Sequence, residues 1–137
     1  MKVLLVEDDR MDLRLYEVGL ASKKISYRYG LTETERAVDD QQINVVIVTT
    51  LREALEVLDR GTWDMVISDL NFPEESGGVV DRNGITMVTE ALRRGVKKVY
   101  LNTTNGSEVH KIVPAGVIVL PDKLGYKDLA NLLQGQE

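Results

Sequence analysis

The chain has no cysteine, which excludes a disulfide framework and any thiolate metal site and suits a reducing compartment. Its one histidine, His110, has no cysteine or second histidine beside it, and a lone imidazole of this kind is assigned no role. Long apolar runs are missing as well. The first run, after Met1-Lys2, stops at Glu7, too early for a membrane span or for the apolar part of a signal peptide, so a cytoplasmic protein without membrane association is expected. Basic charge is in deficit: 17 Lys and Arg stand against 22 Asp and Glu, for a formal net charge of -5. That balance argues against a chain that coats nucleic acid or anionic lipid and favours a cationic ligand or a metal. Trp63 and the five tyrosines are too scattered to form a stacking platform, and packing is their expected use. There are no internal repeats, no low-complexity tracts and no linker. What remains is a chain of 137 residues, 43% hydrophobic, which is enough to bury a sizeable core and predicts a single domain over 1–137.

Short apolar runs recur along it. Val3-Leu4-Leu5-Val6 has no polar alternation and is stopped by three acids, the pattern of a strand buried on both faces of a parallel sheet. Val45 to Val48, Met65 to Ile67, Val99 to Leu101 and Val117 to Leu120 have the same length and mostly β-favouring side chains. Helical spacing lies between several of them: Leu13, Tyr16 and Leu20 share a face, as do Leu51, Ala54, Leu55 and Leu58, and then Ile85, Val88, Ala91 and Leu92. Thr50-Leu51-Arg52-Glu53 reads as a capping box at one helix start, and Gly61 and Gly95 fall where left-handed C-caps are common. The alternation predicts a three-layer α/β/α sandwich with five parallel strands and right-handed crossovers, its ligand beyond the carboxyl ends of the strands. Two stretches exceed this plan. Between Ser22 and Gln42, residues Ile25, Tyr27, Tyr29 and Leu31 alternate with polar neighbours or glycine, which predicts an added strand or hairpin. Phe72 to Asn83, with Pro73, Gly77 and Gly78 among charges, reads as a long mobile loop.

The acids give the sharpest signal. Glu7, Asp8 and Asp9 follow the first strand directly, and Asp69 closes the third. If those strands are neighbours, about 4.8 Å apart, the carboxylates converge on one small volume and require a counter-charge. A hard divalent ion with oxygen ligands fits, magnesium in particular, and without it like-charge repulsion should raise at least one carboxyl pKa. The plainer account is that Asp8 or Asp9 only caps the helix that begins near Arg10, and that Asp69 only forms a turn ahead of Pro73.

Taken together, Val3-Leu4-Leu5-Val6-Glu7-Asp8-Asp9, Trp63-Asp64-Met65-Val66-Ile67-Ser68-Asp69-Leu70-Asn71-Phe72-Pro73 and Asn83-Gly84-Ile85 resemble the receiver domains of response regulators, with matches spread over most of the chain. The resemblance implies a flavodoxin-like strand order 2-1-3-4-5, with the extra strand or hairpin inserted before the second strand. It implies that Glu7 and Asp8 help hold Mg²⁺ together with Asp69 and the backbone carbonyl of Asn71. Asp69 would accept a phosphoryl group from a histidine kinase or phosphotransfer protein. Thr103 would sense the phosphoryl group, with Thr104 at the adjoining small-residue position, and the output would pass to a downstream effector protein, with no direct contact to nucleic acid. Such a protein is a signalling module and not an enzyme beyond the chemistry at Asp69, and a homodimer is compatible with it.

The chain also departs from the family. The lysine expected just before the proline at the end of the fifth strand is replaced by Leu120, ahead of Pro121, and Lys123 is the candidate substitute from the loop. Val117 stands where an aromatic switch residue is usual. Pro114 and the short span from Thr103 to Val117 predict a fourth helix of one turn or none. These departures keep a second reading open, a pseudo-receiver that never takes phosphate and serves as a protein-interaction module. A flavodoxin-like electron carrier fits less well, because Glu7-Asp8-Asp9 would repel a flavin phosphate. An aspartyl-phosphate phosphatase is disfavoured because no Asp-x-Asp pattern follows the first strand. The cluster Arg93, Arg94, Lys97 and Lys98 reads as the solvated end of a helix near its negative pole.

Overall fold

The computed structural model describes residues 1–30, 42–104 and 106–135. Strand and helix alternate as the apolar runs predict: β1 Lys2–Val6, α1 Arg10–Ser22, β2 Ser26–Tyr29, β3 Asn44–Val48, α2 Leu51–Asp59, β4 Met65–Ser68, β5 Phe72–Pro73, β6 Val80–Asp81, α3 Asn83–Arg93, β7 Lys98–Leu101, α4 Gly106–Val109, β8 Val117–Val119 and α5 Tyr126–Leu133. Six strands form one sheet in the order β2-β3-β1-β4-β7-β8, every neighbouring pair parallel. Without β2 the order is the flavodoxin-like 2-1-3-4-5. The added strand is β2, which extends the sheet beyond β3 and is parallel to it; Leu31, expected to continue its alternation, lies outside the described residues. Among the described residues no helix is long and apolar enough to cross a membrane.

The uninterrupted apolar runs are explained by two cores, one on each face of the sheet. Leu4, Val6, Val46, Val48 and Val66 meet α2 and α3, whereas Val3, Leu5, Val45, Ile47 and Ile67 meet α1 and α5. Consecutive residues of β1 thus enter opposite cores, so no position is left for a polar side chain. Leu13, Tyr16 and Leu20 bury the inner face of α1, while Leu55, Ile85 and Leu92 are only partly buried at the margins of their faces. Gly19 lets α1 meet the start of α5, since a Cβ there would stand 2.0 Å from the Tyr126 carbonyl oxygen. Of the expected capping box, the Thr50 half forms, Glu53 N donating to Thr50 Oγ1 at 3.2 Å. Gly95 takes the left-handed conformation at φ 84°, whereas Gly61 has no positive φ because Arg60 already closes α2.

Two expectations are corrected. Phe72 to Asn83 is not irregular throughout: β5 and β6 pair antiparallel, Phe72 with Asp81 and Pro73 with Val80. Phe72 is fully buried and anchors this hairpin in the core beside α2 and α3. Two-residue strands are too short to show a period in sequence. The last run stands at the edge, as the strand order 2-1-3-4-5 implies, but although as apolar as the others it is not buried on both faces, Ile118 being 47% exposed. Ile118 pairs with Tyr100 and so lies on the α1 and α5 side, whereas α4, a single turn, packs Val109 on the other face with Val117 and Val119.

Candidate functional site

Register brings the acids together. β1 and β4 pair with Val6 opposite Ser68, so Glu7 and Asp69 are the next residues on adjacent strands. Asp69 N donates to Val6 O at 2.9 Å, and Glu7 N donates to Val48 O at 3.1 Å, which fixes both backbones at the carboxyl edge of the sheet. The chain passes from β1 to β2 and β3 on one side of it and then crosses to β4 on the other, so the order reverses at β1 and this edge is the crevice in which open α/β sheets bind ligands.

The three consecutive acids have three different tasks. Asp9 is the N-cap of α1, its Oδ1 accepting from Met11 N at 2.9 Å and Asp12 N at 3.1 Å, so the capping account holds for Asp9. Glu7 is fully buried; its Oε2 accepts from Asp8 N at 3.1 Å and Asp9 N at 3.2 Å, turning the carboxylate back under the loop. Asp8 is half-buried and contributes a carboxylate oxygen to a cluster with Glu7 and Asp69 in which the three oxygens lie within 4.8 Å of one another. Asp69 is buried, and its Oδ1 accepts from Leu70 N at 2.8 Å.

Among the described residues, a lysine answers them. Lys123, on the segment between β8 and α5, places Nζ 2.7 Å from Glu7 Oε1, 2.8 Å from Asp12 Oδ2 and 3.5 Å from Asp69 Oδ2. Glu7 Oε1 receives no hydrogen bond of good geometry, so its contact with the ammonium is an ion pair, with coordination capacity left over. Burial and then the Asp69 charge push the Glu7 carboxyl up to about 8, and the same two causes raise Asp8. The expected like-charge effect is therefore present, with loss of solvent the larger cause. Burial works against a charged Lys123, but its contacts with Asp12 and Glu7 outweigh that and hold the ammonium above its ordinary range.

The strap after Asp69 is held by α3. Gly84 N donates to Leu70 O at 2.9 Å and Asn83 Nδ2 donates to Phe72 O at 2.8 Å, fixing the residues on either side of Asn71. Gly84 permits this approach, because a Cβ there would stand 2.2 Å from Asp69 O. Across the sheet, Asn102 N donates to Ser68 O at 2.8 Å, which brings the end of β7 beside Asp69. Thr103 follows and is buried, whereas Thr104 is exposed.

Asp12 was not singled out by the sequence, because an acid in a first helical turn is unremarkable there; its signal is spatial, a second carboxylate on the Lys123 ammonium. Several other residues weighed in the sequence lie away from this site. His110 is exposed, and Trp63 is buried with Nε1 donating to Val57 O at 3.2 Å. Arg93 pairs with Glu90, and Arg94 pairs with Glu90 and Asp59.

The donor set suits a hard divalent cation. Three carboxylates converge, and one buried oxygen has no directed hydrogen bond. A small oxygen-seeking ion such as Mg²⁺ takes one or two carboxylates, waters and a phosphate in such a place.

No family model and no curated protein matches this chain in sequence. Solved structures do match in fold. The chemotaxis response regulator CheY4 of Vibrio cholerae is 20% identical at a TM-score of 0.57, over 99% of this chain and 98% of that one. The non-phosphorylated receiver domain of the stress response regulator RcsB from Escherichia coli is 19% identical at 0.58, over 100% and 95%. A CheY-like receiver domain protein from Methanospirillum hungatei JF-1 is 18% identical at 0.57, over 98% and 91%. The chain is built on the receiver-domain fold along essentially its whole length.

Proposed function

We propose that this chain is a phosphoacceptor receiver module: Asp69 takes a phosphoryl group from a histidine kinase or phosphotransfer protein, and the modified form signals to a downstream effector protein. The observation that carries the reading is the meeting of Glu7, Asp8 and Asp69 within 4.8 Å, with the Lys123 ammonium beside them, at the sheet edge where this fold binds ligands.

In the transfer, an oxygen of the Asp69 carboxylate forms a bond to phosphorus as the donor's phosphorus–nitrogen bond breaks. The departing imidazole nitrogen keeps the electron pair and takes up a proton. Glu7 and Asp8 would hold Mg²⁺ with Asp69 and the Asn71 carbonyl, and the ion supplies positive charge against the phosphoryl oxygens. Lys123 would supply a second positive charge beside Asp69, in place of the lysine that Leu120 displaces. Its ammonium has to move only from the carboxylates it already touches, so its stabilisation comes without a large reorganisation. Thr103 then offers a hydroxyl from the end of β7, and Thr104 is the small neighbour that leaves room for the group. The added charge biases the segments around the site toward a second arrangement.

Intact mass measurement after treatment with acetyl phosphate tests this. One added phosphoryl group is expected with Mg²⁺ present and none in Asp69→Asn; no gain in the parent protein under any metal condition sinks the reading. A second reading, a phosphorylation-independent interaction module, is favoured by the single-turn α4 and by Val117 at the aromatic switch position. The two separate on partner binding, which Asp69→Asn should leave unaltered in a scaffold.

A further inference from the structure

We propose that Tyr16 and Asn102 are positioning residues that hold Lys123 at the acidic site, compensating for the shift of the lysine away from the strand end; the inference rests on the phosphoacceptor reading only for its consequence in catalysis. The last ladder bond of the β8 segment is Leu120 N to Leu101 O at 3.1 Å. Beyond it Pro121 and Asp122 are exposed, and the sheet no longer directs the chain. A lysine three residues past Leu120 would then sample many positions, losing the alignment that a lysine at the strand end has from its backbone.

A closed ring of hydrogen bonds restores that alignment. Leu124, next to Lys123, is fixed at both of its backbone polar groups. Its N–H donates to Asn102 Oδ1 at 2.8 Å, and its carbonyl accepts from the Tyr16 hydroxyl at 2.9 Å. Asn102 Nδ2 closes the ring by donating to the Tyr16 hydroxyl oxygen at 2.9 Å. Tyr16 and Asn102 are each 1% exposed, one on α1 and the other at the end of β7 beside Thr103. A buried amide at the close of an apolar strand is costly unless each of its polar atoms is matched, and here both are matched on this ring. Burial pushes the Tyr16 hydroxyl up to about 12, so it keeps its proton as a donor at neutral pH. The ring ties together α1, which also carries Asp12, the β7 end and the Lys123 segment. The ammonium and its partner Asp12 are thereby referred to the same rigid helix.

A purely structural trio would alter global stability and nothing specific at Lys123, and this difference makes the proposal testable. Lysine acylation of the full chain with acetic anhydride, read site by site by mass spectrometry, reports how firmly each ammonium is held. In the parent, Lys123 should react slowly beside the exposed Lys97 and Lys111. In Tyr16→Phe and in Asn102→Ala its rate should rise about fivefold to tenfold, the effect of one lost hydrogen bond on the population of the released segment. Lys97 and Lys111 should not change. Tyr27→Phe, which removes a hydroxyl that donates to Glu17 at 3.3 Å on the far side of α1, should leave Lys123 protected. If Asn102→Ala fails to fold, the near-isosteric Tyr16→Phe carries the test alone. An unchanged Lys123 rate in a folded Tyr16→Phe protein, or a rise shared by all lysines, overturns the proposal. Acetyl phosphate treatment of the same proteins separates the two readings. Protection that responds to the variants in a chain that never gains phosphate leaves positioning intact and removes the phosphoacceptor role, whereas phosphate uptake with unresponsive protection does the reverse.

Discussion

Lys123 Nζ lies 2.7 Å from Glu7 Oε1, which joins the end of the first strand to the segment before the last helix through a buried carboxylate and a largely buried ammonium. Each charge would be costly without the other, because burial strips water from both.

Removing the ammonium therefore exposes the cost. Lys123→Met leaves Glu7 and Asp69 facing each other without compensation, and the metal-free protein is expected to lose about 1–3 kcal/mol, less than a fully buried pair would because Glu7 can take up a proton. Urea denaturation at pH 9, above the value of about 8 at which folded Glu7 gives up its proton, measures this. Added Mg²⁺ should return part of the loss, and an unchanged midpoint without metal would contradict the ion pair.

The same carboxyl sets a pH dependence. The unfolded chain ionises Glu7 near its ordinary value of 4.5, but the folded chain keeps the proton up to about 8. Between those values the folded state binds more protons, so rising pH favours unfolding. The contribution of Glu7 to stability is complete below 4.5 and is lost as pH passes about 8, and Asp8 is shifted in the same direction. Metal-free urea midpoints should fall from pH 5 to pH 8, while saturating Mg²⁺, which favours the ionised forms, should flatten the slope. A flat metal-free profile would count against the buried acid.

Much of this arrangement was legible in the sequence for a physical reason. β1, β3 and β4 are buried on both faces, so their runs are almost wholly apolar, and those of β1 and β4 give way to acids at Glu7 and, after Ser68, at Asp69. Asp9 and Asp8 could not be separated in advance, since either can cap a helix and only the path of the backbone decides. The β5–β6 hairpin is too short to leave a period, and the exposure of Ile118 comes from its place on the edge strand β8, on the face of α1 and α5, which the apolar run alone does not reveal. Asp12, Tyr16 and Asn102 stayed hidden because their partners are distant in sequence. Tyr16 looks like one more apolar helix residue until its hydroxyl is seen to meet Leu124 and Asn102.

Metal binding should depend on the clustered acids individually. Isothermal calorimetry is expected to find one Mg²⁺ per chain, with Asp69→Asn and Glu7→Gln each weakening it by about tenfold or more, at least the loss seen when an outer partner of a metal ligand is removed. Asp9→Asn should bind metal nearly as well, because Asn is an equally good N-cap and Asp9 Oδ1 already serves the amides of Met11 and Asp12. Equal weakening by all three substitutions would mean that net charge alone attracts the ion.

Gly84 ties the fold to the site most tightly. A Cβ at this position would stand 2.2 Å from Asp69 O, 2.6 Å from Leu70 Cα and 2.9 Å from Leu70 O, all backbone atoms that no rotamer change can move aside. Gly84→Ala must therefore push the start of α3 away from the end of β4, stretching the 2.9 Å bond from Gly84 N to Leu70 O. Overpacking of this kind costs about 1–3 kcal/mol. Because the displaced atoms include the carbonyl of Asp69 itself, metal affinity should fall together with thermal stability. Gly78→Ala gives the comparison, since its Cβ would meet Glu75 O at 3.0 Å within the exposed hairpin turn, well away from the acids. Calorimetric Mg²⁺ titration and thermal melts of both variants should show the two effects joined in Gly84→Ala and metal binding unaffected in Gly78→Ala. A Gly84→Ala protein with normal affinity would mean that Asp69 is positioned by β4 alone.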